Sequence, residues 1–490
     1  MVRTETTFKT SSKVLQHIYD SALAVLLASV KPFGDRRLLT TAPDVDTATL
    51  HYSVLCTDTI SRYDLAAAFD TVCAFMATVR KDGRSASSIE CKHGTVVPKY
   101  DALAGLCFAE EALNLYYLSR KSDREYLEWM LKSLLNFDEY LWKCHDLDFN
   151  QCLELFSESE TEEGEGSNRY APVRMELHGE MKDVSPFPVE SYDLMACNFS
   201  MRNTIARIYA LMGDQASAEE WTKKAQDVRS YLNTKMWSET TEACFDRDFR
   251  GNPMEAVSVG NLFAMYYGAL DGERVDRFFA RYMSARDGFG TSMPLPTLSR
   301  GDRHFSNDKG SNFNGQPRGS TYLRAIYALE RYGRFSMLTG IGDKLLSTVE
   351  TQDIFSEQFD PFTGEPSGNP AYAPTAAAIL EVITRFFGVR SLHDHMMWGA
   401  LGHGENYASS YEFTWGSDTF RLSCESVTSS AYMNEKRLFT VSNGVRVVTD
   451  IYGNDPKVIN VTDAPLDCVF VYRDRTFSFT LEPDGVWKIT

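Results

Sequence analysis

Two acidic stretches hold the residue types that could do chemistry. The first runs from Gln352 to Pro370, QDIFSEQFDPFTGEPSGNP, and the second from Glu158 to Tyr170, ESETEEGEGSNRY. In the first, Glu357 stands two residues before the aromatic Phe359, and Asp360, Pro361 and Gly364 force a turn in which backbone can face a pocket. A carboxylate held there is a candidate base. In the second, five glutamates crowd one loop that ends in Arg169 and Tyr170, and by composition alone this is a solvated acidic loop. Two carboxyl groups kept in different environments, one protonated and one ionised, are what acid–base cleavage of an acetal requires.

Long helices are expected to carry these loops. Apolar residues recur at three and four from Lys13 to Lys31, and the same period returns in Ser61–Val79, Asp101–Leu118, Glu125–Leu141, Ser191–Met212, Ala216–Met236, Ala256–Ala269, Val275–Met283, Thr321–Tyr332, Met337–Val349 and Thr375–Phe387. Asp214 is a start signal, and Gly333 and Gly388 are stop signals. Almost no strand signal precedes residue 390. The loops Ser85–Lys99, Asp146–Pro188, Asp246–Pro253, Gly288–Ser320 and Gln352–Pro374 are long for a helical domain, and such loops are usually functional or disordered. If the helices form concentric inner and outer rings, these loops gather at one end and build one pocket. From Tyr411 onward the pattern alternates with period two, punctuated by turns such as Ser442-Asn443-Gly444 and Pro483-Asp484-Gly485, which predicts a small β-sandwich-like cap.

The 490 residues suggest one large domain and one small one, placed at 1–395 and 396–490. A formal net charge of −17 disfavours nucleic acid or an anionic membrane as partner and suits a neutral small molecule. The ten cysteines form no Cys-x-x-Cys pair and read as buried thiols, which points to a reducing, cytoplasmic setting. No export signal is expected at the amino end, and Ala22–Val30 is too short an apolar run to span a bilayer. No metal or cofactor is expected. His393-Asp394-His395 and His403 lack ligand spacing, and no nucleophile elbow, phosphate loop or dinucleotide fingerprint occurs.

Ser356-Glu357-Gln358-Phe359-Asp360-Pro361-Phe362-Thr363-Gly364-Glu365, followed by Ala373-Pro374-Thr375-Ala376-Ala377-Ala378, resembles the glutamate-bearing motif of the inverting glycosidases of glycoside hydrolase family 63 and the related mannosylglycerate and glucosylglycerate hydrolases. The resemblance covers most of residues 50 to 390. It implies a mainly α chain, an (α/α)6 toroid with a small C-terminal β-sandwich domain, and Glu357 as general base. The acidic loop resembles the motif Glu-Ser-Gly-x-Asp-Asn-Ser-Pro-Arg-aromatic that bears the general acid of this group. It departs at the key position. Laid ungapped from Gly164, the family Asp falls on Gly166; matched instead at Arg169-Tyr170, it falls on Glu165, with Glu163 as second choice. The resemblance further implies a sugar-binding set of Asp58, Arg169, Tyr170, Tyr192, Asp193, Gln316, Arg318 and Phe359. Asp58 reads equally well as a helix cap.

The implied activity is hydrolysis of a small α-linked glucoside, mannoside or related glycoside with inversion, through two carboxyl groups roughly 6.5 to 9.5 Å apart. Two other classes stay open at this point. A toroid lyase or sugar isomerase would draw its base from His178, His304 or Tyr192, and a sugar-binding protein without turnover would explain the Gly at position 166.

Overall fold

The helix Ala373–Phe387, APTAAAILEVITRFF, is buried at every position, so the other elements are arranged around it. Pro374 fits its first turn, where no intrahelical N–H bond is lost, and Gly388 follows its last residue. Ile379, Leu380, Val382 and Ile383 are fully buried, each contributing about 1.5–3 kcal/mol relative to exposure. This computed structural model describes residues 2–92, 94–103, 108–121, 123–161, 163, 166–172, 187–310, 313–402 and 407–489.

The same helix carries one carboxylate through the core. Glu381 is fully buried and meets Thr59 Oγ1 at 2.7 Å, Arg390 at 3.5 Å, and the guanidinium groups of Arg62 and Arg385. Burial alone would raise its pKa; the arginines more than offset that and hold it down at about 2.

The helical body is built of antiparallel hairpins. Tyr192–Met212 turns at Gly213 (φ 85°) into Gln215–Tyr231, whose first turn is capped by Asp214 accepting from Ser217 N at 3.1 Å. Gly319–Arg331, ending before Gly333 (φ 68°), pairs in the same way with Phe335–Gln352. The sequence signals at Asp214, Gly333 and Gly388 therefore mark real helix ends. Helix Leu65–Ala77 starts later than expected, because Asp64 caps it and Thr57–Ile60 forms a separate turn.

Beyond residue 388 the chain is β. A seven-stranded antiparallel sheet and a five-stranded one meet face to face around Trp398, which is fully buried with its ring 6.2 Å from Phe420 and 5.7 Å from Phe439. Strand Ser409–Trp415 alternates as expected, with Ser409, Tyr411, Phe413 and Trp415 inward.

The expectation of a mainly α chain is corrected to a mixed one. Thr4–Thr10 is a strand, paired antiparallel with Ser409–Trp415 from Thr4 opposite Trp415 to Thr10 opposite Ser409. Thr47–Thr49, Ser88–Lys92 and Thr95–Lys99 form a small sheet where the sequence was expected to loop. The two C-terminal sheets thus draw strands from both sides of residue 395, Thr4–Thr10 to one and Val389–Leu392 to the other. Among the described residues nine cysteines are free, six of them buried. No helix among them is long and apolar enough to cross a membrane.

Candidate active site

Glu357 lies just before the buried helix, where the backbone is stitched on both sides. Its N–H donates to Asn369 O (2.8 Å) and its carbonyl accepts from Gly319 N (3.1 Å), while Phe359 N donates to Pro317 O (3.0 Å). The next residues, Gln358–Phe359, pair with Pro366–Ser367 as a short hairpin. Asp360 closes its turn by accepting from Phe362 N and Thr363 N at 2.8 and 2.9 Å, and Gly364 supplies a φ of 74°. The Asp, Pro and Gly of the motif thus make a rigid turn that fixes the glutamate beside it.

The Glu357 side chain keeps 27% of its surface, enough to meet water. Oε1 sits 2.6 Å from Arg318 Nη2, and Oε2 accepts from Asn369 N at 3.3 Å. Arg318 is buried, with its guanidinium 4.6 Å from the Phe313 ring centre. Asn369 in turn donates to Asp44 at 3.0 Å. Gly368, at φ 75°, backs the carboxylate so closely that a Cβ there would lie 2.9 Å from Glu357.

A second cluster is centred on Arg169. Its guanidinium contacts Asp193, Asp246 Oδ1 at 2.7 Å and Glu163 Oε1 at 3.3 Å, and lies 4.1 Å from the Tyr192 ring centre. Glu163 also accepts from Ser167 Oγ (2.6 Å) and Ser258 Oγ (2.9 Å). Burial raises the pKa of Glu163 above the usual carboxylate value, and Arg169 offsets only part of that. Gly260 makes room for the cluster, since a Cβ there would lie 2.2 Å from the Tyr192 hydroxyl.

The segment Phe313–Arg318 lies against both clusters. Arg318 holds Glu357 at one end, and Asn314 Oδ1 accepts from Asn168 N at 2.7 Å at the other. Asn168 also donates to His304 O at 2.6 Å. The acidic loop and the glutamate hairpin are therefore neighbours, although about 190 residues separate them in sequence.

Most of the expected sugar ligands are buried and partnered within the protein. Phe359 is fully buried with its ring 6.4 Å from Tyr322, so it is core. Gln316 is buried and pins the hairpin through Ser367 and Asn307. Arg169, Tyr170, Tyr192 and Asp193 are buried together in the second cluster. Glu163, the second-choice acid, is buried with both oxygens engaged by Ser167, Arg169 and Ser258. Asp58 accepts from Tyr327 (2.8 Å) and Arg390 (2.9 Å), beside the far end of the buried helix. Glu165, His178 and His403 lie outside the described residues.

Sequence reasoning missed Asp246, Ser258, Asn369 and Asp44. The first two come from loops that only the fold brings to Arg169. Asn369 lay inside the motif, but its role depends on a backbone N–H, which residue type does not reveal. Among the described residues no group of three or more His, Cys, Asp or Glu side chains is arranged to hold a metal ion.

Residues 106–375 match the family model of the mannosylglycerate hydrolase MGH1-like glycoside hydrolase domain. The chain belongs to that family. It is a glycosidase by that membership. Among solved structures, the chain is similar to the GH63 mannosylglycerate hydrolase of Thermus thermophilus in complex with glucose, with a TM-score of 0.61, 17% identity, and coverage of 74% of this chain and 99% of that one. It is also similar to the neutral trehalase Nth1 of Saccharomyces cerevisiae, at a TM-score of 0.52, 10% identity, and coverage of 71% and 73%. At these identities the likeness concerns the fold. An uncharacterized protein of Borreliella burgdorferi is 28% identical over 130 residues, which span 26% of this chain and 27% of that relative.

Proposed function

We propose that this glycosidase hydrolyses a small α-linked glycoside with inversion of the anomeric centre, on a helical body that is an (α/α)6 toroid. The supporting observation is Glu357, a partly exposed carboxylate fixed by Arg318 and the Asn369 N–H beside a segment that also touches the acidic loop. In an inverting reaction one carboxyl group protonates the departing oxygen while the other draws a proton from a water on the opposite face. Glu357 takes the water. Arg318 is its positioning residue, pairing with one oxygen and leaving the remaining exposed surface toward the attacking water.

Glu165 is the acid in this reading. The Arg169 cluster, with Glu163, Asp193, Asp246 and Ser258, anchors the loop on which it is carried. The mannosylglycerate hydrolase and trehalase folds favour a small glycoside of the mannosyl or glucosyl type, and the acidic net charge agrees with a neutral sugar ring. Incubating the protein with a panel of small α-mannosides and α-glucosides, mannosylglycerate among them, and assaying free sugar tests the reading. Turnover of at least one member and its loss in Glu357→Gln are expected; equal turnover by that variant excludes Glu357 as the base.

A further inference from the structure

A cavity of about 380 Å³ opens at the opposite end of the buried helix from Glu357, between the helical body and the β sheets. Fifteen helical residues, about 22 Å at 1.5 Å each, separate the two ends. Phe335, Met397 and Val448 form an apolar wall, and Tyr266 and Tyr327, with ring centres 6.1 Å apart, form an aromatic one. The volume falls in the range of small-molecule sites.

Most charged groups on this wall already have a partner. Arg331 takes both oxygens of Glu110, at 2.7 and 2.8 Å. Arg390 pairs with Asp58 at 2.9 Å, and Glu330 pairs with Arg385 at 2.7 Å and with Arg446. Two groups are left over. Glu111 has a hydrogen bond from the Tyr266 hydroxyl and no cation within ion-pair distance among the described residues. Arg207 has no carboxylate within that distance among them; its Nη2 meets His393 Nε2 at 3.0 Å. That imidazole is neutral, because burial and then Arg207 bring its pKa down to about 4. Burial likewise pushes the Glu111 carboxyl up to about 7, and neither the Tyr266 hydroxyl nor the more distant Arg324 offsets it.

We propose that this cavity is a second binding site, for a small zwitterion whose ammonium or quaternary ammonium group meets Glu111 and the Tyr266 ring and whose carboxylate meets Arg207. Such a molecule brings a direct ion-pair partner to both groups at once. The aromatic wall suits its cationic end, since a ring face attracts a cation within about 6 Å of its centre. Arg207 suits the other end because a hydrogen bond from a cation to a carboxylate is roughly twice as strong as one between neutral groups. The site lies apart from the glycosidase machinery and does not depend on which substrate that machinery takes.

Calorimetric titration of the full chain with glycine betaine and with L-glutamine tests the proposal, with acetate, ethylammonium and glycerol as single-feature controls. Saturable binding of at least one zwitterion, at least tenfold tighter than each control, is expected. Glu111→Gln and Arg207→Gln should each weaken it at least tenfold, while Arg207→Lys, which keeps the charge, stays within a few-fold. Zwitterions that bind no better than the controls, or binding that survives both Gln substitutions, would overturn the proposal. So would an equal loss in Arg207→Lys and Arg207→Gln, which would make position 207 structural.

Discussion

Replacing Glu381 by Gln removes the one acid shared by Arg62, Arg385 and Arg390 while keeping the shape of the side chain. Carrying this carboxyl from the ordinary 4.5 down to about 2 corresponds to about 3 kcal/mol of stabilisation at neutral pH. The packing gives a similar figure. Arg385 still has Glu330 and Arg390 still has Asp58, but Arg62 loses its acid partner in a site where its Nε and Nη1 already lack one. Breaking a buried pair from one side costs about 3–5 kcal/mol. The pH dependence follows in sign. The folded pKa is depressed, so the contribution is full above about pH 4.5 and is lost as the pH falls through about 2. Urea denaturation at pH 7, 4.5 and 2.5 should therefore show the variant about 3 kcal/mol less stable at pH 7, with the gap narrowing at pH 2.5. A variant as stable as the parent at pH 7, or a gap independent of pH, would refute this account of the buried helix.

Three further outcomes are expected at the site. Gly368→Ala places a Cβ 2.9 Å from Glu357 at a φ of 75°, so kcat should fall at least tenfold for a stability loss of about 1–2 kcal/mol; unchanged kcat would show that Glu357 is not held by this contact. Gly260→Ala drives a Cβ into the Tyr192 hydroxyl and against Arg169, and should cost about 1–3 kcal/mol in a melting experiment while also lowering kcat. Glu165→Gln should abolish cleavage of ordinary glycosides yet spare a glycosyl fluoride, whose leaving group needs no proton, whereas Glu163→Gln should lower stability first. The opposite pattern would move the acid to position 163.

Much of the helical body was legible because its helices repeat apolar residues at three and four and end on residues with a local reason to end them, such as Asp214, Gly333 and Gly388. Thr4–Thr10 was not. Its partner lies about 400 residues away at Ser409–Trp415, and a strand of threonines and charges shows little of its inward face until that partner is known. At the site, the Asp-Pro-x-Thr-Gly turn beside Glu357 forms as expected because turn chemistry is local. The acidic loop looked solvated by composition, yet Glu163 is buried, because Arg169, Ser167 and Ser258 satisfy it. Asp58 was equally ambiguous between sugar and structure, and its ion pair comes from Arg390, more than 300 residues away, which no local pattern reveals.

In the proposed reaction Glu357 activates a water on the face opposite the departing group. Proton NMR of the sugar first released from an α-glycoside substrate tests it most directly. The β anomer should appear first and mutarotate afterwards, and Glu357→Gln should release none. First appearance of the α anomer would mean retention, with a carboxylate attacking the sugar itself, and would exclude Glu357 as an inverting base.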